Sequence, residues 1–465
     1  MPTSIHPRKL SELADSMRGT VLVNGDDCYD QARRVWNGAV DRHPAAIARC
    51  TGTADVVAAI SFARQEGLPT AVRGGGHSVA GNAVCDDGLV IDLSPMRGVH
   101  VDPQERTARA QPGTTWGEFD RETQLFSLAT TGGIVSTTGI AGLTLGGGIG
   151  WLARSYGTTC DNLLSADVVT ANGGIVRASH DENADLLWGL RGGGGNFGVV
   201  TSFEYQLHEV GPVVLAGAVF HPFSRAHDVL AFFREFTAAA PEELSLVASF
   251  PAAPAASFLP PEIHGTRVAV LGVCHCGSLE DAEAAIGPLR TFGPPLADVI
   301  QPTPYTAVQS MFDARFPHGR HYYWKSSYLR ELTDEAIDVL VDHIARTPSA
   351  ETTSYLWHLG GAFGRPAEDT AFGHRDVLFD FAALAGWLDP TRTEEHVGWA
   401  RDFWAAMQPH ATSGVYVNNL SAEGQNRTRA AYRPEIYDRL SRLKSKYDPD
   451  NFFHFNQNIR PMATI

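Results

Sequence analysis

A chain of 465 residues, 43% of them hydrophobic and 19% charged, is long for one hydrophobic core and ordinary in composition for a globular protein, so two domains are expected and extended disorder is excluded. Its 37 Lys and Arg against 52 Asp and Glu leave a formal charge of −15, with no cationic cluster of the kind nucleic acid requires, which makes small molecules the expected partners. The polar stretch from Met1 to Thr20 lacks the apolar core of a signal peptide, and no later stretch is long and apolar enough to cross a bilayer, so a cytoplasmic protein without membrane contact is expected.

In chain order, residues 53–67 carry a helical pattern, with Thr53 as cap, Val56, Ile60 and Ala63 on one face, and Gly67 as the stop. Two strands, 70–73 and 89–93, flank the run Arg73-Gly74-Gly75-Gly76-His77-Ser78-Val79-Ala80-Gly81-Asn82. Consecutive glycines reach dihedrals closed to other residues, and their converging N–H groups make a concave anion site suited to a diphosphate, to which Arg73 could add charge. No helix follows these glycines and no Gly-Lys-Ser/Thr ending is present, so neither a dinucleotide-binding turn nor a P-loop explains them. Residues 108–111 read as a strand and 115–124 as a helix with Trp116 in the core. The stretch 130–150 is too punctuated by glycine for an ordinary helix or strand and is expected to lie as a flat wall against a planar ligand. Strands 165–171 and 175–179 around Asn172-Gly173 form a hairpin, 185–198 is a short helix stopped by glycines, and 199–208 alternates as a half-buried strand.

The composition changes near Gly211-Pro212. Strand-like runs at 213–220, 244–250, 268–274, 322–329, 353–359 and 377–387 mingle with helical runs at 227–239, 279–289, 334–346 and 394–407, with a proline-rich loop at 252–261. This predicts a mostly antiparallel sheet backed by helices, fold class α+β. Toward the end, 414–419 reads as a short strand and 430–446 as a helix. Cys28, Cys50, Cys85, Cys160, Cys274 and Cys276 show no paired spacing of the zinc type, so reduced structural thiols and no metal site are expected. Nothing in the sequence encodes an oligomeric state.

The run from Arg73 to Gly81, followed by Gly88-Leu-Val-Ile-Asp-Leu-Ser94, resembles the flavin-attachment region of the berberine-bridge-enzyme-like flavoproteins of the vanillyl-alcohol oxidase superfamily. Residues 156–162 resemble the family's lead into its hairpin, and Lys446-Tyr-Asp-Pro-Asp-Asn-Phe-Phe453 with Asn456-Gln-Asn-Ile-Arg-Pro461 its C-terminal signature. The resemblance implies a two-domain PCMH-type FAD-binding fold: 1–210 binding FAD, 211–410 binding substrate, and 411–465 returning to the FAD domain. It also implies FAD bonded covalently to His77. Around the cofactor it places Arg73, Gly74, Gly75, Gly76, Ser78, Gly81 and Asn82 in the nest, and Gly132, Val135, Thr138, Gly139, Gly142, Gly146 and Gly147 in the wall. Gly195, Val200, Tyr416, Asn456 and Asn458 complete the set. Many members carry a second, cysteinyl bond from a Cys-Pro-Thr-Val-Gly pattern; here Val135-Ser-Thr-Thr138-Gly139 stands instead, so attachment through His77 alone is expected.

The family sets a tyrosine and an asparagine before the ring at positions matching Tyr416 and Asn418, and Thr138 at the position that influences oxygen access, which points to an oxidase. Tyr416 is either the acid/base or orienting group, helped by a cation that lowers its pKa, or an aromatic packed on the ring; Lys325 is either that cation or a salt-bridged strand residue. Tyr355 and Trp357 share a strand face and either line a substrate pocket or pack in the core. The plant members' Lys-x-Gln-Tyr element is replaced by Asp380-Phe-Ala-Ala-Leu-Ala-Gly-Trp387, so a plant-type alcohol oxidation is not expected. The expected activity is an FAD-dependent oxidase of a small cyclic or aromatic alcohol or amine, reoxidised by O2. The alternatives are a dehydrogenase with another acceptor and a catalytically silent flavin-binding protein.

Overall fold

The computed structural model describes residues 5–462; the first four residues of the stretch read as lacking a signal peptide, and the last three of the C-terminal segment, lie outside the described residues. Helix Thr53–Glu66 forms because Val56, Ala59, Ile60 and Ala63 recur at helical spacing and are buried, and it ends at Gly67, which takes the left-handed conformation at φ 62°. Its start differs from the expectation. Gly52 holds the N-cap position, and the side chain of Asp55, not Thr53, accepts from the N–H groups of Arg18, Gly19 and Thr51.

This helix covers a four-stranded sheet in the order Thr20–Leu22, Ala46–Arg49, Leu89–Asp92, Thr70–Arg73. The last two strands run parallel and adjacent, so the glycine nest at 74–76 leaves the end of one strand at the sheet's edge. Beside it stands a five-stranded antiparallel sheet, Val99–Asp102, Thr107–Ala110, Val199–Gln206, Leu163–Val169 and Ile175–Ala178, which contains the Asn172-Gly173 hairpin. Helix Trp116–Thr123 opens with a Thr115–Glu118 capping box and buries Trp116 completely. The wall expected over 130–150 is not wholly irregular: Ile140–Leu145 is a short helix, held by burial of Ile140, Ala141, Thr144 and Leu145.

The strands from Val213 to Trp387 build an eight-stranded sheet in which every pairing is antiparallel. One face buries Phe379, Phe381, Ala383 and Ala385 against helices Ala226–Thr237, Leu279–Thr291, Asp334–Ala345 and Thr393–Met407. On strands His321–Leu329, Thr353–His358 and Phe379–Trp387, Trp324 pairs with Leu384, Tyr355 with Ala382, and Trp357 with Asp380. Direct antiparallel partners share a face, so these side chains all turn away from the helices, toward the glycine-rich half.

The C-terminal segment corrects two expectations. Residues 414–419 form no strand, with Gly414 O alone accepting from the strand residue Tyr328 at 3.4 Å; Asn418 donates to Leu143 O, Asn419 donates to Tyr355 and Asp380, and the backbone closes into a short turn at Val417–Asn419. The helix expected at 430–446 starts later, as Pro434–Tyr447 after a separate helix Gln425–Ala430, because Pro434 has no N–H with which to continue a helix and sits at the first position of a new one. The second helix packs Leu440 and Leu443 in one core with Leu186 and Leu187. From it the fully buried Lys444 donates to Asn196 O, Phe453 O and Asp448 at 2.8, 2.8 and 2.6 Å. All six cysteines are free. Among the described residues no helix is long and apolar enough to cross a membrane, and no His, Cys, Asp and Glu group is arranged to hold a metal.

Candidate active site

A cavity of about 330 Å³ lies between the glycine loops and the aromatic face of the large sheet. Its floor is made by close backbone approach. A Cβ on Gly75 would fall 2.5 Å from Gly139 Cα, and one on Gly146 would fall 2.0 Å from Asn418 Oδ1. Gly142 and Gly195 are bare for a different reason: both line the cavity, and nothing stands within 4 Å of where a Cβ would project. The backbone N–H groups of Gly75, Gly76, His77 and Ser78 donate to no protein acceptor among the described residues. Asn456, also at the cavity, keeps a buried Oδ1 without a partner. A glycine-rich floor with free donors at one end fits a planar ligand that carries a diphosphate, as FAD does.

His77 stands at the end of the nest with its ring stacked on Trp36, centroids 4.4 Å apart, and Trp36 in turn stacks on Tyr322 at 3.9 Å. The Trp36 indole N–H donates to Phe316 O at 2.9 Å, which fixes the middle ring of the stack. Thr137 Oγ1 lies 3.4 Å from His77 Nε2. Burial and the nearby His318 push the His77 pKa down to about 3, so the imidazole is neutral at physiological pH and keeps a lone pair available for bonding.

Across the cavity, Tyr416 Oη accepts from Gly148 N–H at 2.9 Å and from Asn418 Nδ2 at 2.8 Å. The Leu143 carbonyl, which only accepts, sets the orientation of that amide. With both contacts received by its oxygen, the phenol's own proton is free to be donated. Burial raises its pKa, and the two donors oppose that rise. Asp380 is the second ionisable group of this wall. Its Oδ2 accepts from Tyr355 Oη at 2.9 Å and from Asn419 Nδ2 at 3.1 Å, its Oδ1 has no partner, and burial pushes its pKa up to about 7. Phe316, Trp324, Tyr355, Trp357 and Leu384 complete the wall.

Two families match separate parts of the chain. Residues 44–179 match the FAD binding domain family, and residues 415–460 the family described as berberine and berberine like. An FAD-linked oxidoreductase of Dictyostelium discoideum is 32% identical over 97% of both chains. (R)-6-hydroxynicotine oxidase of Paenarthrobacter nicotinovorans is 33% identical over 96% of this chain and 97% of that one. The chain belongs to the berberine-bridge-enzyme-like FAD-linked oxidoreductases. The crystal structure of 6-hydroxy-D-nicotine oxidase from Arthrobacter nicotinovorans superposes with a TM-score of 0.86 at 31% identity, over 96% of this chain and 99% of that one.

In this oxidoreductase the cavity gathers most of the residues singled out in the sequence: Gly74, Gly75, Gly76, His77, Ser78, Asn82, Val135, Thr138, Gly139, Gly142, Gly146, Gly195, Val200, Tyr416, Asn418 and Asn456. Six others stand outside its lining. The Arg73 guanidinium packs behind Gly76 and is engaged by Ala32 O and Asp92, so it stands outside the lining itself. Gly81 gives way to Val40, Gly132 to Trp116, and Gly147 to Phe372; each is a packing requirement in which an added Cβ would come within 3 Å of its neighbour. Asn458 accepts from Gln425 through its carbonyl and does not face the cavity. Lys325 is not the cation expected beside Tyr416. It neighbours Trp324 in the strand and therefore points to the opposite face, where it pairs with Glu423 and lies 3.9 Å over the Trp404 ring.

Tyr355 and Trp357 line the cavity and also pack in the core, Trp357 against Trp151 with centroids 4.8 Å apart. Asp380, Asn419, Trp324, Phe316 and Trp36 were not assigned from the sequence. Asp380 carried a signal all the same: it is the lone charge in Phe379–Trp387, a strand of nine buried residues, and a carboxylate in such a run needs a specific reason to be there.

Proposed function

We propose that the chain is an oxidase that holds FAD through one histidyl bond at His77 and oxidises a carbon bearing oxygen or nitrogen on a small cyclic or aromatic substrate, with O2 as the final acceptor. The observation that carries this reading is the convergence of His77, Tyr416 and Asp380 on a single cavity floored by glycine. When bound there, FAD supplies the hydride acceptor. The protein's part is to orient the substrate and move a proton. Asp380, held near neutrality, is matched to accept the proton of the substrate's heteroatom, and the Tyr416 hydroxyl is placed to donate a hydrogen bond that fixes that atom. The neutral His77 ring supports the covalent bond, and Val135, which lines the cavity where relatives use a cysteine, carries no nucleophile for a second one. The hydroxynicotine oxidase among the relatives supports oxidation of a small aromatic-containing molecule by an oxidase.

Anaerobic mixing with a panel of benzylic and cyclic alcohols and amines should bleach the bound flavin, and air should restore its colour. Bleaching that persists in air would make the protein a dehydrogenase, and a flavin that no compound bleaches would make it a silent binder. After acid denaturation the flavin should remain on the peptide containing His77, and His77→Ala should convert it to dissociable FAD. Flavin released from the wild-type chain by acid would remove the covalent bond from this reading.

A further inference from the structure

Asp380 is the lone carboxylate among the described residues that line the cavity, and no Lys or Arg joins it there. The titratable groups packed near it are the hydroxyls of Tyr328, its strand partner, Tyr355 and Tyr416, all neutral when protonated. Trp357 is its partner on the other side, and Asn419 contributes an uncharged amide. Lys325, the nearest cation by sequence on the neighbouring strand, is committed to Glu423 on the far face. A buried carboxylate with one oxygen unpartnered and no counter-ion is costly when ionised, so it either keeps a proton or takes up positive charge beside it. Of the aromatic lining, Trp357 pairs with Asp380 across the strands and Tyr355 reaches it through its hydroxyl, so these two rings stand nearest the carboxylate. Aromatic rings beside a carboxylate that lacks a counter-ion are the chemistry that takes up an ammonium group.

We infer that the substrate is a small amine that enters as its ammonium ion, seats its nitrogen at Asp380 Oδ1 beside the Tyr355 and Trp357 rings, and gives that carboxylate its proton before oxidation. The N–H bond breaks with its electron pair left on nitrogen, and the proton forms an O–H bond on Asp380, so both charges are cancelled in one transfer. The inference rests on the proposed function, since it names the substrate class of the same site. It narrows the choice between alcohol and amine, which the glycine-floored half of the cavity does not address.

The test uses the flavin-loaded protein and two probes that differ only in charge, choline and its carbon isostere 3,3-dimethyl-1-butanol, with binding followed by calorimetry. Near pH 8 choline should bind about tenfold or more tightly than the isostere. Protons compete with the cation for Asp380, whose pKa is pushed up to about 7. The preference should therefore shrink by about tenfold for each pH unit below that value, while binding of the isostere stays flat. Asp380→Asn should abolish the preference with the visible spectrum of the flavin retained. Equal binding of the two probes, a preference indifferent to pH, or no binding of choline at about 10 mM would overturn the inference. A flavin-loaded protein that fails this test but is bleached by alcohols loses the amine and keeps the oxidase; a chain that takes up no flavin fails the earlier reading first.

Discussion

The two walls of the cavity are built by opposite means. On the cofactor side, Gly75 and Gly139 meet backbone to backbone, and Gly142 and Gly195 leave open the space that side chains would fill. On the sheet side, the lining is made by specific side chains, from Trp324 and Leu384 across Tyr355 to Trp357 and Asp380. The first wall recognises by shape and by backbone N–H groups, and it suits a cofactor that never changes. The second recognises by side-chain chemistry that one substitution alters, and it suits a substrate that differs between relatives.

That contrast breaks most sharply at Asp380. Asp380→Asn keeps the size of the side chain and removes the proton acceptor, so it should slow flavin reduction by on the order of 10²–10⁴ with FAD content unchanged, measured by anaerobic stopped flow. Reduction at the wild-type rate would move the chemistry off the sheet wall. The same change on the other wall is steric. Gly195→Val places a branched side chain in open cavity at a backbone conformation any residue can adopt. FAD uptake should fall about tenfold or more while the apoprotein melts as before. Loss of folding together with uptake would show that Gly195 is a packing residue like Gly81, whose Cβ would lie 2.4 Å from Val40.

The two walls were also unequally legible in the sequence. Glycine runs next to His77 announce close backbone approach whatever the fold, so Gly74, Gly75, Gly76, Gly139, Gly142, Gly146 and Gly195 could be placed at the cavity from local pattern and resemblance. The antiparallel character of the large sheet was equally visible, because alternation and turn residues are local signals. The sheet wall depends on register, which local pattern does not contain. Lys325 and Trp324 are adjacent in sequence, yet strand alternation sends them to opposite faces, and the pairing of Trp324 with Leu384 decides which one enters the site. Trp36 is further still from legibility: it stacks on His77 and Tyr322 from distant parts of the chain. The segment 414–419 fails as a strand because its asparagines bond across to Leu143, Tyr355 and Asp380, contacts that only the folded chain supplies.

A second buried carboxylate, at the seam between the two halves, sharpens what sets Asp380 apart. Asp120, on helix Trp116–Thr123, accepts from Gln309 Nε2 at 2.9 Å through Oδ2, leaves Oδ1 without a partner, and is pushed by burial up to about 7. It lies outside the cavity lining, so no ligand is there to compensate it. Because its folded pKa stands above the ordinary carboxyl value near 4, folding favours the protonated form. Its ionisation therefore costs nothing below that value, increasingly destabilises the fold as pH rises from about 4 to 7, and does so in full above 7. Asp120→Asn accepts the same Gln309 hydrogen bond and does not ionise. It should stabilise the protein by on the order of 1–3 kcal/mol near pH 8 and by almost nothing near pH 4, read as a gain of a few degrees in Tm at the higher pH alone. An equal gain at both pH values would mean that the asparagine improves packing and that folding leaves the Asp120 pKa unshifted; a loss at both would mean that its carboxylate is held by a contact an amide does not replace.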